Sequence, residues 1–271
     1  MNDTDPVLVE RGGSTVWITL NRPEKRNSIN KAVIEGIRAG IEQAAADATV
    51  RAVVLTGAGD KAFCAGGDLE QGTAIFGDSL DEPTTDFGRL ARLARQVGIP
   101  LVARVNGACV AGGMGLMALC DLVVAADHAV FGLPEARIGV FPMQVQVYFR
   151  NLILPRHAAE LIFTGELIDA ARAREIGLVN WVVPATELDV KVEWLLERLR
   201  MNSSAAIRRG KYAMAAMQAM NFHEAIAFAE GQIALAAATD DAREGLAAFN
   251  EKRKPRWTED DGAGRLRGRR R

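Results

Sequence analysis

Histidine and cysteine are scarce in this sequence, with three of each. No HxxxH pair occurs, so a histidine metal site has little support. Cys64, Cys109 and Cys120 form no CxxC pair and are odd in number, which reads as reduced thiols in a cytoplasmic protein. An excess of one charge is also lacking, with 33 Lys and Arg against 34 Asp and Glu. That balance argues against a chain built to bind nucleic acid or a membrane surface. Apolar runs are broken by Gly, Arg or Asp well short of a spanning length, so no transmembrane helix is expected. Residues 1–6 lack a basic segment followed by an apolar one, so no signal peptide is expected. Phosphate loops of the GxxxxGK[ST] type, a GxGxxG with an acidic partner and a GxSxG nucleophile elbow are all missing. No internal repeat is evident.

What is present is a large apolar fraction, 49% of 271 residues, enough for one full core or a core with a helical extension. Residues 14–20 alternate, with Val16, Ile18 and Leu20 on one face, and predict a strand. Asn21-Arg22-Pro23 breaks it. Residues 31–46 place Val33, Ile34, Ile37 and Ile41 at helical spacing. Short apolar strands are expected at 51–56, 101–105 and 121–126. Strands separated by helix-length segments predict an α/β core with crossover connections. Beyond Gln144 helical periods dominate, over 185–199, 204–220, 222–237 and 243–252, with one strand at 178–183. Met214, Met217 and Met220 read as helix-face core residues. Residues 71–88 have loop composition and read either as a lid over what precedes them or as a plain surface loop. Residues 258–271 run acidic, then glycine, then arginine, and read as a disordered tail.

Two glycine-rich corners carry the chemistry. One is Ala62-Phe63-Cys64-Ala65-Gly66-Gly67-Asp68-Leu69, the other Val105-Asn106-Gly107-Ala108-Cys109-Val110-Ala111-Gly112-Gly113-Met114-Gly115-Leu116. Each lies where a strand gives way to a helix, leaving backbone N–H groups open to a ligand. Two such donors on one oxygen make an oxyanion hole, the device that stabilises an enolate formed from a thioester. A carboxylate must then move the proton. Glu135, after the apolar run that ends at Phe131, is the candidate. The alternative at that position is an ion pair with Arg137 or a place in solvent.

Taken together these segments resemble the enoyl-CoA hydratase/isomerase, or crotonase, superfamily over residues 7–257. Asn21-Arg22-Pro23-Glu24-Lys25-Arg26-Asn27-Ser28 is similar to its first CoA-binding segment, and the two glycine corners to its two oxyanion motifs. Leu133-Pro134-Glu135 matches the segment carrying one catalytic glutamate. Glu244-Gly245-Leu246 and Ala248-Phe249-Asn250-Glu251-Lys252-Arg253-Lys254-Pro255 resemble its C-terminal signature. The resemblance implies an α/β spiral of ββα turns over about residues 1–200 and a C-terminal helical trimerisation region over 201–257. It implies an acyl-CoA thioester substrate, no separate cofactor, no metal, and a homotrimer or dimer of trimers. Carried over, the oxyanion donors are the N–H groups of Gly67 and Gly112, with Glu135 as acid and base. Lys25, Arg26, Ala65, Asp68, Leu69, Phe249 and Lys252 are implied as CoA- or substrate-binding positions, Asp68 also helping to hold the first corner.

Three departures stand out. Efficient hydratases of this family read Gly-Gly-x-Glu-Leu where this chain has Gly112-Gly113-Met114-Gly115-Leu116, so one of two glutamates is missing. Glu70 replaces a frequent CoA-phosphate lysine. Residues 139–144 lack the glycine-rich turn of hydratases. One base suffices for double-bond isomerisation, so isomerase chemistry is expected ahead of hydration. A slow hydratase, in which Gln144, Asp78, Asp81 or Glu82 replaces the missing carboxylate, is the runner-up. Other CoA-thioester reactions that use the same hole and a non-catalytic acyl-CoA-binding paralogue are the remaining alternatives.

Overall fold

The computed structural model describes residues 5–70, 72 and 84–258. In chain order, β1 (Val7–Gly12) and β2 (Thr15–Leu20) are followed by α1 (Lys31–Ala46), β3 (Ala52–Gly57) and β4 (Ala62–Cys64). Then come α2 (Asp86–Gln96), β5 (Leu101–Val105), β6 (Ala108–Val110) and α3 (Gly112–Ala118). Next are β7 (Leu122–Ala126), β8 (Val130–Gly132) and a 3-10 turn, Pro134–Ile138. The chain continues through α4 (Gln146–Leu152), α5 (Pro155–Thr164), β9 (Ile168–Asp169), α6 (Ala170–Glu175), β10 (Trp181–Val183) and α7 (Leu188–Arg200). Three helices close it: α8 (Ser204–Met217), α9 (Phe222–Ala237) and α10 (Asp240–Asn250).

Two sheets run through the core. The larger has the order β1-β2-β3-β5-β7-β10, with β1 antiparallel to β2 and the rest parallel. The smaller has the order β4-β6-β8-β9, parallel except for β9. Each long strand is followed directly by a short one in the second sheet: β3 by β4, β5 by β6, β7 by β8. The chain therefore winds as a spiral of ββα turns. Parallel β4, β6 and β8 end side by side, so the segments leaving their C-terminal ends meet at one edge, the usual place for ligands in such sheets.

The long strands are buried on both faces, which explains their unbroken apolar sequences. Val53 and Leu55 of β3 face one core cluster, and Ala52 and Val54 face a second beneath Leu188, Val192, Leu195 and Leu196 of α7. Helix α1 begins at Asn30, whose side chain accepts the Val33 N–H at 2.9 Å. It buries Val33, Ile34, Ile37 and Ile41, each worth about 2 kcal/mol relative to exposure. Truncating Ile37, which is wholly buried, would cost the fold about 3 kcal/mol.

Several expectations need correction. The loop assigned to residues 71–88 stops at Thr85, because Thr85 accepts the Gly88 N–H and starts α2 there. Gln71 and residues 73–83, including Asp78, Asp81 and Glu82, lie outside the described residues, as do 259–271. Met214 is 68% exposed, and Met217 and Met220 are partly exposed. Helix α8 packs on α9 and on α2, and among the described residues these methionines stay on its exposed or half-exposed side and outside both core clusters. The last helix starts at Asp240 instead of Arg243, capped by the Thr239 hydroxyl on Ala242 N–H.

Candidate active site

The first corner leaves β4 at Cys64. Ile29 lies beside it as an isolated parallel bridge to Gly67. Ile29 N–H donates to Gly66 C=O at 2.7 Å, and Asp68 N–H donates to Ile29 C=O at 2.8 Å. In this pattern the Gly67 N–H falls between the two bonds and has no acceptor among the described residues. Asp68 is buried, and its Oδ2 accepts from Arg22 Nη2 at 2.7 Å. Arg22 Nη1 also donates to Ser28 C=O at 2.8 Å. The guanidinium holds the Asp68 carboxyl below the usual carboxylate range. Arg26 C=O accepts the Ala65 N–H at 3.1 Å. Asn27, buried and at φ 56°, accepts Arg22 N–H at 3.1 Å and donates to Ala62 C=O at 2.8 Å. Segment 21–28 is thus a brace for the first corner, and Arg22, which sequence reasoning left without a role, is its centre.

The second corner turns at Ala111, a non-glycine residue at φ 51°, ψ −123°. Such a backbone stores strain and persists only where its surroundings fix it. The Ala111 N–H donates to Gly132 C=O at 2.9 Å, and its carbonyl accepts Met114 N–H at 2.9 Å. Gly112 is the first helical residue of α3, so its N–H has no partner within the helix. Close approach binds the two corners together. A Cβ on Gly113 would stand 2.2 Å from Cys64 O, so only glycine fits. A Cβ on Gly112 would stand 3.7 Å from Gly67 N, so the two residues with free N–H groups lie against each other.

Glu135 lies in the 3-10 turn that leaves β8, three residues after the carbonyl bonded to Ala111. It is partly buried, and its Oε2 is buried with no hydrogen-bond partner among the described residues. Burial raises its pKa above the usual carboxylate value. Arg137 does not neutralise it, because Arg137 pairs with Glu166. A buried, unpartnered carboxylate oxygen on the turn that leaves β8, whose Gly132 carbonyl is bonded to the residue before Gly112, suits proton abstraction next to a polarised carbonyl. The cysteines do not compete as nucleophiles: all three are buried, and burial pushes the Cys64 thiol up to about 12.

The other expected positions divide in two. Lys25, Arg26, Ala65, Asp68 and Leu69 cluster round the first corner. Leu69 is 56% exposed, and Lys25 Nζ contacts Glu70, the residue in place of the family's lysine. Phe249, 81% exposed, and Lys252 lie in or just after α10 and make no hydrogen bond or ion pair to that cluster among the described residues. Gln144 is exposed and donates to Thr85 Oγ1, a structural partner in α2's cap.

The family model described as enoyl-CoA hydratase/isomerase matches residues 10–260. Crotonyl-CoA hydratase of Syntrophomonas wolfei is 32% identical over 253 residues, 92% of this chain and 96% of that protein. The protein named probable enoyl-CoA hydratase echA8 of Mycobacterium tuberculosis is 35% identical over 260 residues, covering 94% and 98%. The crystal structure of enoyl-CoA hydratase from Bacillus anthracis superposes with a TM-score of 0.86 at 33% identity, covering 92% of this chain and 98% of that one. With the spiral fold, the paired glycine corners and the glutamate at one strand edge, these matches show that the chain belongs to the enoyl-CoA hydratase/isomerase family, whose members act on acyl-CoA thioesters.

Proposed function

We propose that this protein is an enoyl-CoA double-bond isomerase with Glu135 as its single acid and base. The observation that carries the reading is the contrast between positions 135 and 115. Glu135 offers a partly buried, unpartnered carboxylate oxygen. Gly115 offers no side chain, and the place of one is taken by Phe87 and Val145.

The steps balance with one carboxylate. A 3-enoyl thioester binds with its carbonyl oxygen between the Gly67 and Gly112 N–H groups. Glu135 takes a proton from carbon 2, and the electron pair of that C–H bond delocalises onto the thioester oxygen as a dienolate. The two N–H donors stabilise the developing charge, each worth roughly 10²–10³ in rate in well-studied oxyanion sites. Glu135 returns the proton at carbon 4, leaving the double bond between carbons 2 and 3. The names of the relatives, enoyl-CoA and crotonyl-CoA hydratases, favour a second reading, hydration of 2-enoyl-CoA, which needs a positioned water as well. Lys25 and Arg26 are read as contacts for the charged end of CoA, with Glu70 tempering Lys25. The exposed Met214, Ile233 and Leu246 of α8–α10 are read as surface that pairs with further copies in a trimer.

The test is Glu135→Gln assayed with 3-enoyl-CoA by the absorbance of the conjugated product. Isomerisation is expected to fall by ~10²–10⁴ while CoA-thioester binding is kept. Turnover that survives the substitution would overturn the assignment of the base. Binding without turnover in the unmodified protein would favour the non-catalytic paralogue.

A further inference from the structure

The side of α3 one turn beyond Gly112 is closed. An ideal Cβ on Gly115 would stand 2.7 Å from Phe87 Cζ and 3.0 Å from Val145 Cγ2. Phe87 lies in the first turn of α2, half-buried against the main core cluster, and Val145 is buried just before α4. Hydrogen bonds fix both on either side of their contact. Gln144 Nε2 donates to Thr85 Oγ1, and the Tyr148 hydroxyl donates to Ala91 C=O at 2.7 Å. The ring is therefore held by bonds two residues before it and four residues after it.

Positions 112 and 115 are three apart on one helix, so they share a face. The Phe87 ring thus stands against α3 one turn along from the Gly112 N–H. A water is held only where about 2–4 polar partners reach it. The side chains of Phe87 and Val145 supply none, and Gly115 has no side chain.

We propose that Phe87, backed by Val145, is a specificity-determining residue that closes this side of the enolate site to ordered water and so favours isomerisation of a 3-enoyl thioester over hydration of a 2-enoyl one. The proposal rests on the reading of Glu135 as base and of Gly67 and Gly112 as donors. The two reactions differ in one requirement. In proton return, protonated Glu135 gives its proton to carbon 4 and becomes a carboxylate again. In hydration of a 2-enoyl thioester, a water oxygen bonds to carbon 3 while its proton passes to Glu135. The electron pair of the double bond moves onto the thioester oxygen, and the resulting enolate takes that proton from Glu135 at carbon 2, which restores the carboxylate. Only the second route needs a water held against carbon 3, and Phe87 takes the room for it.

The experiment compares the unmodified protein with Phe87→Ala and Phe87→Val. Each is given 3-enoyl-CoA and, separately, 2-enoyl-CoA, and the enoyl and 3-hydroxyacyl products are separated by chromatography. The ratio of hydration to isomerisation within one sample is independent of how much protein is folded, so a merely structural role for Phe87 leaves it unmoved. The ratio is expected to rise about tenfold in Phe87→Ala and less in Phe87→Val, short of the ~10²–10⁴ that a positioned acid or base gives. If the alanine variant does not accumulate, the valine variant gives the same answer from a smaller opening. An unchanged ratio with isomerisation intact overturns this proposal alone. Absence of isomerisation in the unmodified protein overturns the reading beneath it as well.

Discussion

The Ala111 N–H donates to the Gly132 carbonyl at 2.9 Å, which ties the residue before Gly112 to the strand that leads to Glu135. One residue on from Ala111 is Gly112, and three on from Gly132 is Glu135. The proposed donor and the proposed base are therefore held in register by this bond and by the pairing of β6 with β8.

With Glu135 as the proposed base, the acid limb of activity is expected to report its ionisation. The group must be ionised to accept a proton, and burial raises its pKa above the ordinary value of 4.5. The kcat/KM for 3-enoyl-CoA is expected to fall as pH drops through a value above 4.5, and a pH profile checks it. A limb at or below the ordinary carboxylate value would contradict the buried environment.

The same burial has a stability consequence of definite sign. Because the folded-state pKa is raised, the ionised carboxylate opposes folding at pH above that pKa. Glu135→Gln is therefore expected to melt higher than the unmodified protein at pH 8. The advantage should shrink as pH falls through the folded pKa and vanish below the unfolded one. Equal melting temperatures at pH 8, measured by calorimetry, would contradict this.

Arg22 and Asp68 form a largely buried pair, with side chains 16% and 8% exposed. Removing Arg22 leaves the Asp68 charge buried without its ion-pair partner. Arg22→Ala is expected to cost about 3 kcal/mol of stability and to lower kcat by loosening Gly67. Chemical unfolding and steady-state kinetics check the two parts. A variant of unchanged stability would mean that the brace is ornamental.

Gly115→Glu alone is expected to fail as a route to hydration. Its side chain must displace the Phe87 ring, at an overpacking cost of about 1–3 kcal/mol. Combined with Phe87→Ala, the same substitution should regain most of that stability and raise hydration. Melting curves and 2-enoyl-CoA assays on the single and double variants decide it. Faster hydration from Gly115→Glu alone, with no loss of stability, would show the position to be open.

Much of this was legible in the sequence, for physical reasons. Helix 31–46 and strand 101–105 stand where periodicity puts them, because long regular patterns of burial override local detail. The short β4, β6 and β8 carry only three residues each, too few for a period to show, yet they aim every corner of the site. The glycine corners were readable as tight turns after short strands. Their partners were not, since Arg22 reaches Asp68 across 46 positions and nothing local announces the pair. Phe87 was hidden in a loop-like stretch, although the Thr85 cap marks the start of its helix. The methionines of α8 misled because helical spacing says which face is apolar and not what covers it.

The most direct measurement is the ratio of two specificity constants for the unmodified protein: isomerisation of 3-enoyl-CoA and hydration of 2-enoyl-CoA of the same chain length. A single carboxylate beside a dry wall predicts that isomerisation leads by about tenfold or more. Hydration as fast as isomerisation, or faster, would contradict the account.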